Sequence, residues 1–347
     1  MTEMPRDKRP SFPFAAIVGQ EQMKTSLLLN IIDPGIGGVL IKGEKGTAKS
    51  TTVRSLAQIL PDIEHVKGCI YHCDPKHGKT LCSDCAETLA SGVRMECERS
   101  PMKVVELPLS ATEDRIAGTL DIEHVLQTGK KRFEPGVLAQ ANGNLLYVDE
   151  VNLLEDHMVD LLLDAAAMGV NYVEREGISF EHPSRFILVG SMNPEEGDLR
   201  PQLLDRFGLC VEMKGERNLF VRTEIVSRRL EFDADPEGFT EGYAEATQKI
   251  KDDVLNARSN LSNIKVSEKL LETASNIALY FEMEGHRADI TMIRAARAHA
   301  ALLGKKEPDK EDLETVAPMA LSHRIKRRPF EESKFDLEDL RKCLQEY

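Results

Sequence analysis

The chain has 347 residues, 45 of them basic and 58 acidic, for a formal net charge of −13, with 41% apolar residues. That length allows about two domains of roughly 100–200 residues, and the apolar content is that of a folded chain. The acidic excess argues against a global nucleic-acid footprint, no window reaches the ~18 consecutive apolar residues of a membrane span, and Met1–Pro10 is not followed by the apolar core of an export signal. The expected compartment is the cytoplasm, with neither nucleic acid nor membrane as partner. The basic run Arg324, Lys326, Arg327 and Arg328 reads as a solvated helix end.

In chain order, Val39–Lys42 reads as a buried strand leading into the glycine-rich stretch Gly43–Ser50. Thr51–Leu60 reads as a helix with Val53, Leu56 and Leu60 on one stripe. Pro61–Pro101 is rich in cysteine and punctuated by Gly and Pro, which predicts an irregular insertion. Lys103–Leu107 is a second strand, Asn144–Asp149 a third, Asp156–Met168 an amphipathic helix, and Tyr172–Phe180 a hairpin turning at Glu176–Gly177. Arg185–Ser191 and Gly208–Met213 are the fourth and fifth strands. Strands alternating with helices predict a parallel α/β sheet. Beyond Gly215 the pattern is helical: Asn218–Glu231, Glu241–Asn260, Val266–Phe281, Ile290–Leu303 and Glu311–Ser322. The expected organisation is an α/β core over 12–232, interrupted by the insertion 61–101, then an all-helical domain over 233–347, with the polar stretch Asp233–Glu237 at the junction.

Gly43, Glu44, Lys45, Gly46, Thr47, Ala48, Lys49, Ser50 and Thr51 lie between a strand and a helix, the context of a phosphate loop. Successive N–H groups there can wrap a phosphate at a helix N-terminus, with Lys49 on the β- and γ-phosphates of ATP and Ser50 on Mg²⁺. The pattern asks for Gly at position 48. Ala48 is accommodated if the backbone is already helical, with Gly46 supplying freedom just before it. The apolar run Leu145–Val148 ends in Asp149–Glu150, two carboxylates that are costly beside a buried strand unless they meet a cation or a proton. Asp149 is expected to hold Mg²⁺ through water, and Glu150 to polarise the attacking water. A solvent-facing strand end is the plainer reading, and the phosphate loop at this separation outweighs it. Asn193 follows the next apolar strand and is placed to orient that water; its plainer reading is a turn residue before Pro194.

Of seven cysteines, Cys69 and Cys73 form one close pair, and Cys82 and Cys85 another. An odd count with no export signal argues against a disulfide framework, so these four are expected to hold a structural Zn²⁺, with Zn–S near ~2.3 Å. An iron–sulfur cluster is the next choice, and unliganded thiols the plainest. His72 and His77 are spare ligands, and Cys97, Cys210 and Cys343 are read as packing residues.

These features together resemble an AAA+ ATPase, and more closely the small motor subunit of magnesium chelatase and its cobalt-chelatase relatives. The resemblance is carried by Ile17–Glu21, Leu107–Arg115, Gly118–Glu123, Phe133–Gly136, Tyr147–His157, Val189–Gly208 and Met319–Arg324, spanning about Phe12 to Arg328. It implies an AAA+ core with a five-stranded parallel sheet and a helical lid. It also implies an ATPase that works as a ring, expected to be hexameric. An integrin-domain ATPase-like subunit and a large tetrapyrrole-binding subunit that inserts Mg²⁺ or Co²⁺ are the implied partners. Arg206 is implied as an arginine finger acting on the neighbour's ATP, against a plainer ion pair with Asp205 or Asp198. Arg287 is implied as the second sensor arginine, with Arg294 competing, and Arg200 as facing the subunit junction. Ile17, Val18 and Gly19 are implied to line the adenine pocket, against a plainer role as ordinary core. Ser110–Arg132 and the hairpin near Gly177 are implied to face partners. Two rival functions stay open: a chaperone-like AAA+ ATPase remodelling another metalloenzyme, and a metal- or redox-responsive ATPase regulator.

Overall fold

The computed structural model describes residues 10–76, 80–120, 133–175, 178–325 and 335–346. Five strands form one sheet: β1 (Val39–Gly43), β2 (Val104–Leu107), β3 (Leu145–Val148), β4 (Ile187–Met192) and β5 (Leu209–Met213). Their order is β5-β1-β4-β3-β2, and every pair is parallel. Val39 lies opposite both Val189 and Leu209, and Leu145 opposite Ile187 and Val104. Strands β3 and β4 are buried throughout, which is why they read as unbroken apolar runs rather than as alternation. The five strands expected from the sequence are the five observed.

Because the strands are parallel, their C-terminal ends share one edge of the sheet. There β1 runs into the phosphate loop, β3 into Asp149 and Glu150, and β4 into Asn193. β1 is flanked by β4 and β5 while β2 lies at the far edge, which creates the switch-point crevice where open α/β sheets bind ligands.

The insertion 61–101 is more regular than its composition suggested. Its two ends pair antiparallel, Asp62–Val66 on Cys97–Pro101, with Asp62 opposite Pro101 and Val66 opposite Cys97. Ser83–Ala90 inside it is helical. Gly and Pro punctuation reports local turns, whereas this pairing joins segments distant in sequence. A second ribbon pairs Gly118–Leu120 with Phe133–Pro135, and a third pairs Val170–Arg175 with Ile178–Pro183. Part of the segment Ser110–Arg132 and the Glu176–Gly177 turn lie outside the described residues, as do His77 and Lys326–Arg328.

The helices after β5, among the described residues, are Leu219–Ala234, Pro236–Gly242, Ala244–Asn260, Glu268–Tyr280, Arg287–Leu302, Lys310–Leu321 and Leu337–Glu346; the second and the last were unanticipated, and the stretch Asp233–Glu237 is mostly helical. Arg287–Leu302 buries Ala288, Ala295, Ala296, Ala298 and Ala301, small side chains that let other helices approach it closely. It packs on Lys310–Leu321, Ala244–Asn260 and Glu21–Ile32. Lys310–Leu321 begins with a reciprocal capping box between Asp309 and Asp312 and runs beside β5, covering that sheet edge. One apolar cluster is continuous from Ile41 and Leu209 through Leu27 to Met292 and Leu313, so sheet and helices share a core. Among the described residues, no helix is long and apolar enough to cross a membrane.

Candidate nucleotide site and cysteine cluster

The phosphate loop corrects one expectation. Helix Lys49–Ser55 starts after Ala48, and Ala48 itself is left-handed, at φ 62° and ψ 21°. Its Cβ is therefore not absorbed by a helical backbone. A left-handed residue carrying a Cβ costs roughly 1–2 kcal/mol, so Ala48→Gly is expected to stabilise the fold by about 0.5–1 kcal/mol after the added unfolded-state entropy is offset. Urea unfolding checks this, and an unchanged or lower midpoint would contradict the strain. At Gly43, by contrast, a Cβ would sit 2.8 Å from the Met213 carbonyl oxygen, so only glycine fits.

Lys49 Nζ donates to the carbonyl oxygens of Gly43 and, at 2.9 Å, of Glu44. Burial pulls its pKa down, opposed by Asp149, Glu150 and Glu196. Lys45 is paired with Glu196 at 2.5 Å. Beside the loop lies a cleft of about 590 Å³ lined in part by Gly43, Glu44, Met213, Lys214, Glu216 and Arg222. That size falls in the ~300–1,000 Å³ range of small-molecule sites. Ile17, Val18 and Gly19 are not among its lining residues. Ile17 packs against the apolar core, and Gly19 faces Glu216 and Val221.

Asp149 is the centre of a hydrogen-bonded network. Ser50 Oγ donates to its Oδ2 at 3.1 Å, Tyr147 OH donates to its Oδ1 at 2.8 Å, and Ser191 Oγ also donates to Oδ1. The Tyr147 hydroxyl lies 3.1 Å from both Ser50 Oγ and Ser191 Oγ. Burial pushes the Asp149 pKa up, but hydrogen bonds from Ser191, Tyr147 and Ser50 more than offset it, and the group stays below the usual carboxylate range. Asp149 is thus held anionic beside Ser50, as a cation site on MgATP requires. Sequence reasoning missed Tyr147 and Ser191. Tyr147 precedes Asp149 by two positions and so shares its face of the strand, a signal that was available. Ser191 becomes a neighbour only through the pairing of β4 with β3.

Glu150 has a left-handed backbone, φ 49°, and its N–H donates to Ser191 Oγ at 3.2 Å. A non-glycine residue in that region marks a constrained position, here at the mouth of the crevice. Asn193 is buried, and its Oδ1 accepts the Glu195 N–H at 3.2 Å, capping the short turn Pro194–Glu196. This bond is the turn role expected of an Asn before Pro194.

The arginines separate sharply. Arg206 is paired with Asp164 at 2.5 Å and Asp160 at 3.2 Å, on helix Asp156–Met168, and not with Asp205 or Asp198. Asp205 is taken by Arg287 at 2.6 Å and Arg324 at 3.0 Å. Arg287 therefore stands next in space to the turn that carries Arg206. Arg294 donates to the Gly35 carbonyl, and Arg200 pairs with Asp156 at 2.6 Å. Arg324 is no solvated helix end: its side chain is 5% exposed.

The four cysteines converge. The Sγ atoms of Cys69, Cys73, Cys82 and Cys85 all lie within 4.8 Å of one another, and Cys69 and Cys82 are 3.8 Å apart. A tetrahedron with ~2.3 Å metal–sulfur bonds has an edge of about 3.8 Å, which the Cys69–Cys82 separation matches, so the group could hold a metal ion. Cys73, Cys82 and Cys85 are buried with Val66, Tyr71 and Ala139 in a satellite core. Hydrogen bonds from Cys73 and Cys82 pull the Cys69 thiol down, which favours a thiolate, while burial pushes Cys85 up to about 12. His72 is half-buried with Nδ1 unpartnered, and it packs edge-on against His65 at 5.0 Å. Cys210 and Cys343 are buried packing residues, but Cys97 is exposed, contrary to expectation.

Comparison with known proteins agrees with this geometry. Residues 79–207 match the family model of the AAA domain (dynein-related subfamily), and residues 271–343 that of the AAA lid domain. The chain is 50% identical over 336 residues to the magnesium-chelatase subunit ChlI homolog of Methanocaldococcus jannaschii, covering 97% of this chain and 91% of that relative. It is 50% identical over 322 residues to the magnesium-chelatase 38 kDa subunit of Acidiphilium rubrum, covering 93% of each. Among solved structures, a chain in the complex between subunits BchI and BchD of magnesium chelatase is 48% identical, with a TM-score of 0.54 over 92% of this chain and 98% of that one. A putative ATPase from Cytophaga hutchinsonii, 19% identical with a TM-score of 0.62 over 96% of this chain and 91% of that one, shares the fold. With a phosphate loop and acidic strand end on an AAA+ sheet, and half its residues identical to these subunits over nearly their whole length, the chain belongs to the ChlI/BchI family of magnesium-chelatase AAA+ ATPase subunits.

Proposed function

We propose that this motor subunit of magnesium chelatase hydrolyses ATP as a ring, expected to be hexameric, in which each protomer completes its neighbour's reaction centre. The observation that carries the reading is the separation of the site. Ser50, Asp149, Glu150 and Asn193 sit together at the C-terminal edge of the sheet, while Arg206 is held elsewhere, by Asp160 and Asp164. In the proposed cycle, Lys49 exchanges its loop carbonyls for the triphosphate, and Ser50 and Asp149 hold its Mg²⁺. Glu150 takes a proton from water as the water's oxygen attacks the γ-phosphorus, and the bond to the ADP oxygen breaks. Arg206 of the adjacent protomer leaves its carboxylates and stabilises the charge spread over the transferring group. Arg287, beside Arg206, is assigned to the same junction, and Arg200 to its rim.

In the complex of BchI with BchD, a chain similar to this one is combined with a second chelatase subunit. On that likeness this chain is assigned an ATPase-like partner subunit and a large subunit that binds the tetrapyrrole and receives Mg²⁺. Seven cysteines without a disulfide suit a reducing compartment such as the cytoplasm. Turnover per chain should rise steeply with protein concentration as rings assemble. A constant rate down to dilutions where sedimentation finds single chains overturns the shared-site reading.

We assign the four-cysteine cluster to a structural Zn²⁺, held by Cys69, Cys73, Cys82 and Cys85 as thiolates, whose role is to tie the insertion together. Elemental analysis is expected to find one zinc per chain, and chelation to lower the unfolding temperature. Metal-free protein that melts unchanged contradicts the assignment, and iron with a charge-transfer absorption replaces it by an iron–sulfur cluster.

A further inference from the structure

The segment Met319–Arg324 carries no role in the cycle above, yet its last residue makes an unusually complete set of contacts. Arg324 follows helix Lys310–Leu321 and reaches back to the core. Its Nε donates to Asp205 Oδ1 at 3.0 Å, and Nη2 donates to the carbonyl oxygens of Asp205 at 3.0 Å and Phe207 at 2.8 Å. Its Nη1 donates to the carbonyl oxygen of Gly208 at 3.0 Å and to that of Ala320. A guanidinium has five N–H donors, and all five are used. The carbonyls at 205, 207 and 208 bracket Arg206 on both sides, while the Arg206 side chain points to Asp160 and Asp164.

Neighbouring groups complete the clamp. His323 Nε2 donates to the Phe207 carbonyl at 3.0 Å, and burial keeps this histidine neutral. Arg287 holds the second oxygen of Asp205 at 2.6 Å. Phe207 is 1% exposed in the core, and a Cβ on Gly208 would sit 2.0 Å from the Ile36 carbonyl oxygen, so the turn has no room to adopt another path. Lysine in place of Arg324 has three donors at a single nitrogen and no planar fork, and cannot span four carbonyls and a carboxylate.

We propose that Arg324 is the positioning residue of the finger: it fixes the turn Asp205–Gly208 to the C-terminal end of helix Lys310–Leu321, so that Arg206 is presented to the neighbouring nucleotide by the helical region rather than by the sheet alone. This rests on the reading of Arg206 as a finger acting in trans, and the test separates the two. Arg324→Lys rings are expected to bind a fluorescent ATP analogue with unchanged Kd and KM, and to lose kcat by about 10–100-fold, as a displaced catalytic group does. Mixing them with Glu150→Gln chains, which keep an intact Arg206 turn, should restore turnover to about a quarter of wild type, the share of junctions that pair the two kinds correctly at random around a head-to-tail ring. A defect confined to the variant's own fold would not be rescued by a neighbour.

The control is the same mixture made with Arg206→Ala. If that pair recovers and the Arg324→Lys pair does not, the positioning role is overturned. If neither recovers, the trans-acting finger falls and the positioning role with it. Wild-type kcat in homogeneous Arg324→Lys rings also overturns the proposal. Asp205→Asn, which keeps the shape but drops the charge that Arg324 and Arg287 hold, is expected to complement in the same way, and carries the test should the lysine variant not fold.

Discussion

Rings of Arg206→Ala are expected to bind ATP normally and to hydrolyse it ~10³-fold or more slowly, since a trans-acting arginine finger contributes about 10³–10⁵ to phosphoryl transfer. The size of the effect follows from where charge develops. In the proposed cycle the γ-phosphoryl oxygens gain negative charge at the junction between protomers, and a guanidinium placed there would stabilise the transition state far more than the bound substrate. The variant should fold. Among the described residues Arg206 is paired with Asp160 and Asp164, which are 47% and 53% exposed, and pairs of that kind are worth ~0–1 kcal/mol. The same weak pairing would let the side chain leave its resting partners in the proposed cycle. Single-turnover measurements on assembled rings check the expectation, and wild-type rates would remove Arg206 from the reaction.

Glu150→Gln is expected to trap MgATP, with turnover falling ~10²–10⁴-fold, the range associated with a positioned general base. Glutamine keeps the length and the Cβ, so the left-handed backbone at φ 49° and the N–H bond to Ser191 are undisturbed. What would be lost, in the proposed cycle, is the acceptor for the proton of the attacking water. Lys49, Ser50 and Asp149 remain, so nucleotide affinity should be retained or tightened. Co-purification of uncleaved ATP with the variant, measured after acid quench, tests this. Rapid release of ADP would instead assign the base to another group.

The two experiments separate parts of the site that the sequence displayed unequally. The phosphate loop was legible because its residues are contiguous and its surroundings, strand before and helix after, follow from local hydrophobic pattern. Asp149 and Glu150 were legible for the same reason, at the end of one apolar run. Tyr147 and Ser191 were not, because a hydroxyl on a buried strand reads as packing until the register of β4 on β3 brings it to a carboxylate. Arg324 was misread outright. A basic run after a helix is most often solvated, and only the tertiary path of residues 205–208 supplies the carbonyls that let this guanidinium be buried. The plainer alternative for Arg206, a pair with Asp205 or Asp198, failed for a related reason, since Asp205 is adjacent in sequence but already held by two arginines from the helical region.

The five strands, the phosphate loop, the acidic strand end and the paired cysteines could be read from the order of residues, because each is set by neighbours along the chain: alternation or runs of apolar residues, a glycine-rich turn, a short ligand spacing. It took the folded chain to show that the ends of the insertion pair, that four sulfurs meet within 4.8 Å of one another, that Ala48 is left-handed, and that the turn bearing Arg206 hangs on Arg324. Each of these depends on groups far apart in the chain, or on a backbone angle set by its surroundings. Their energies come from hydrogen bonds and burial that exist only once the sheet and helices have closed on a common core.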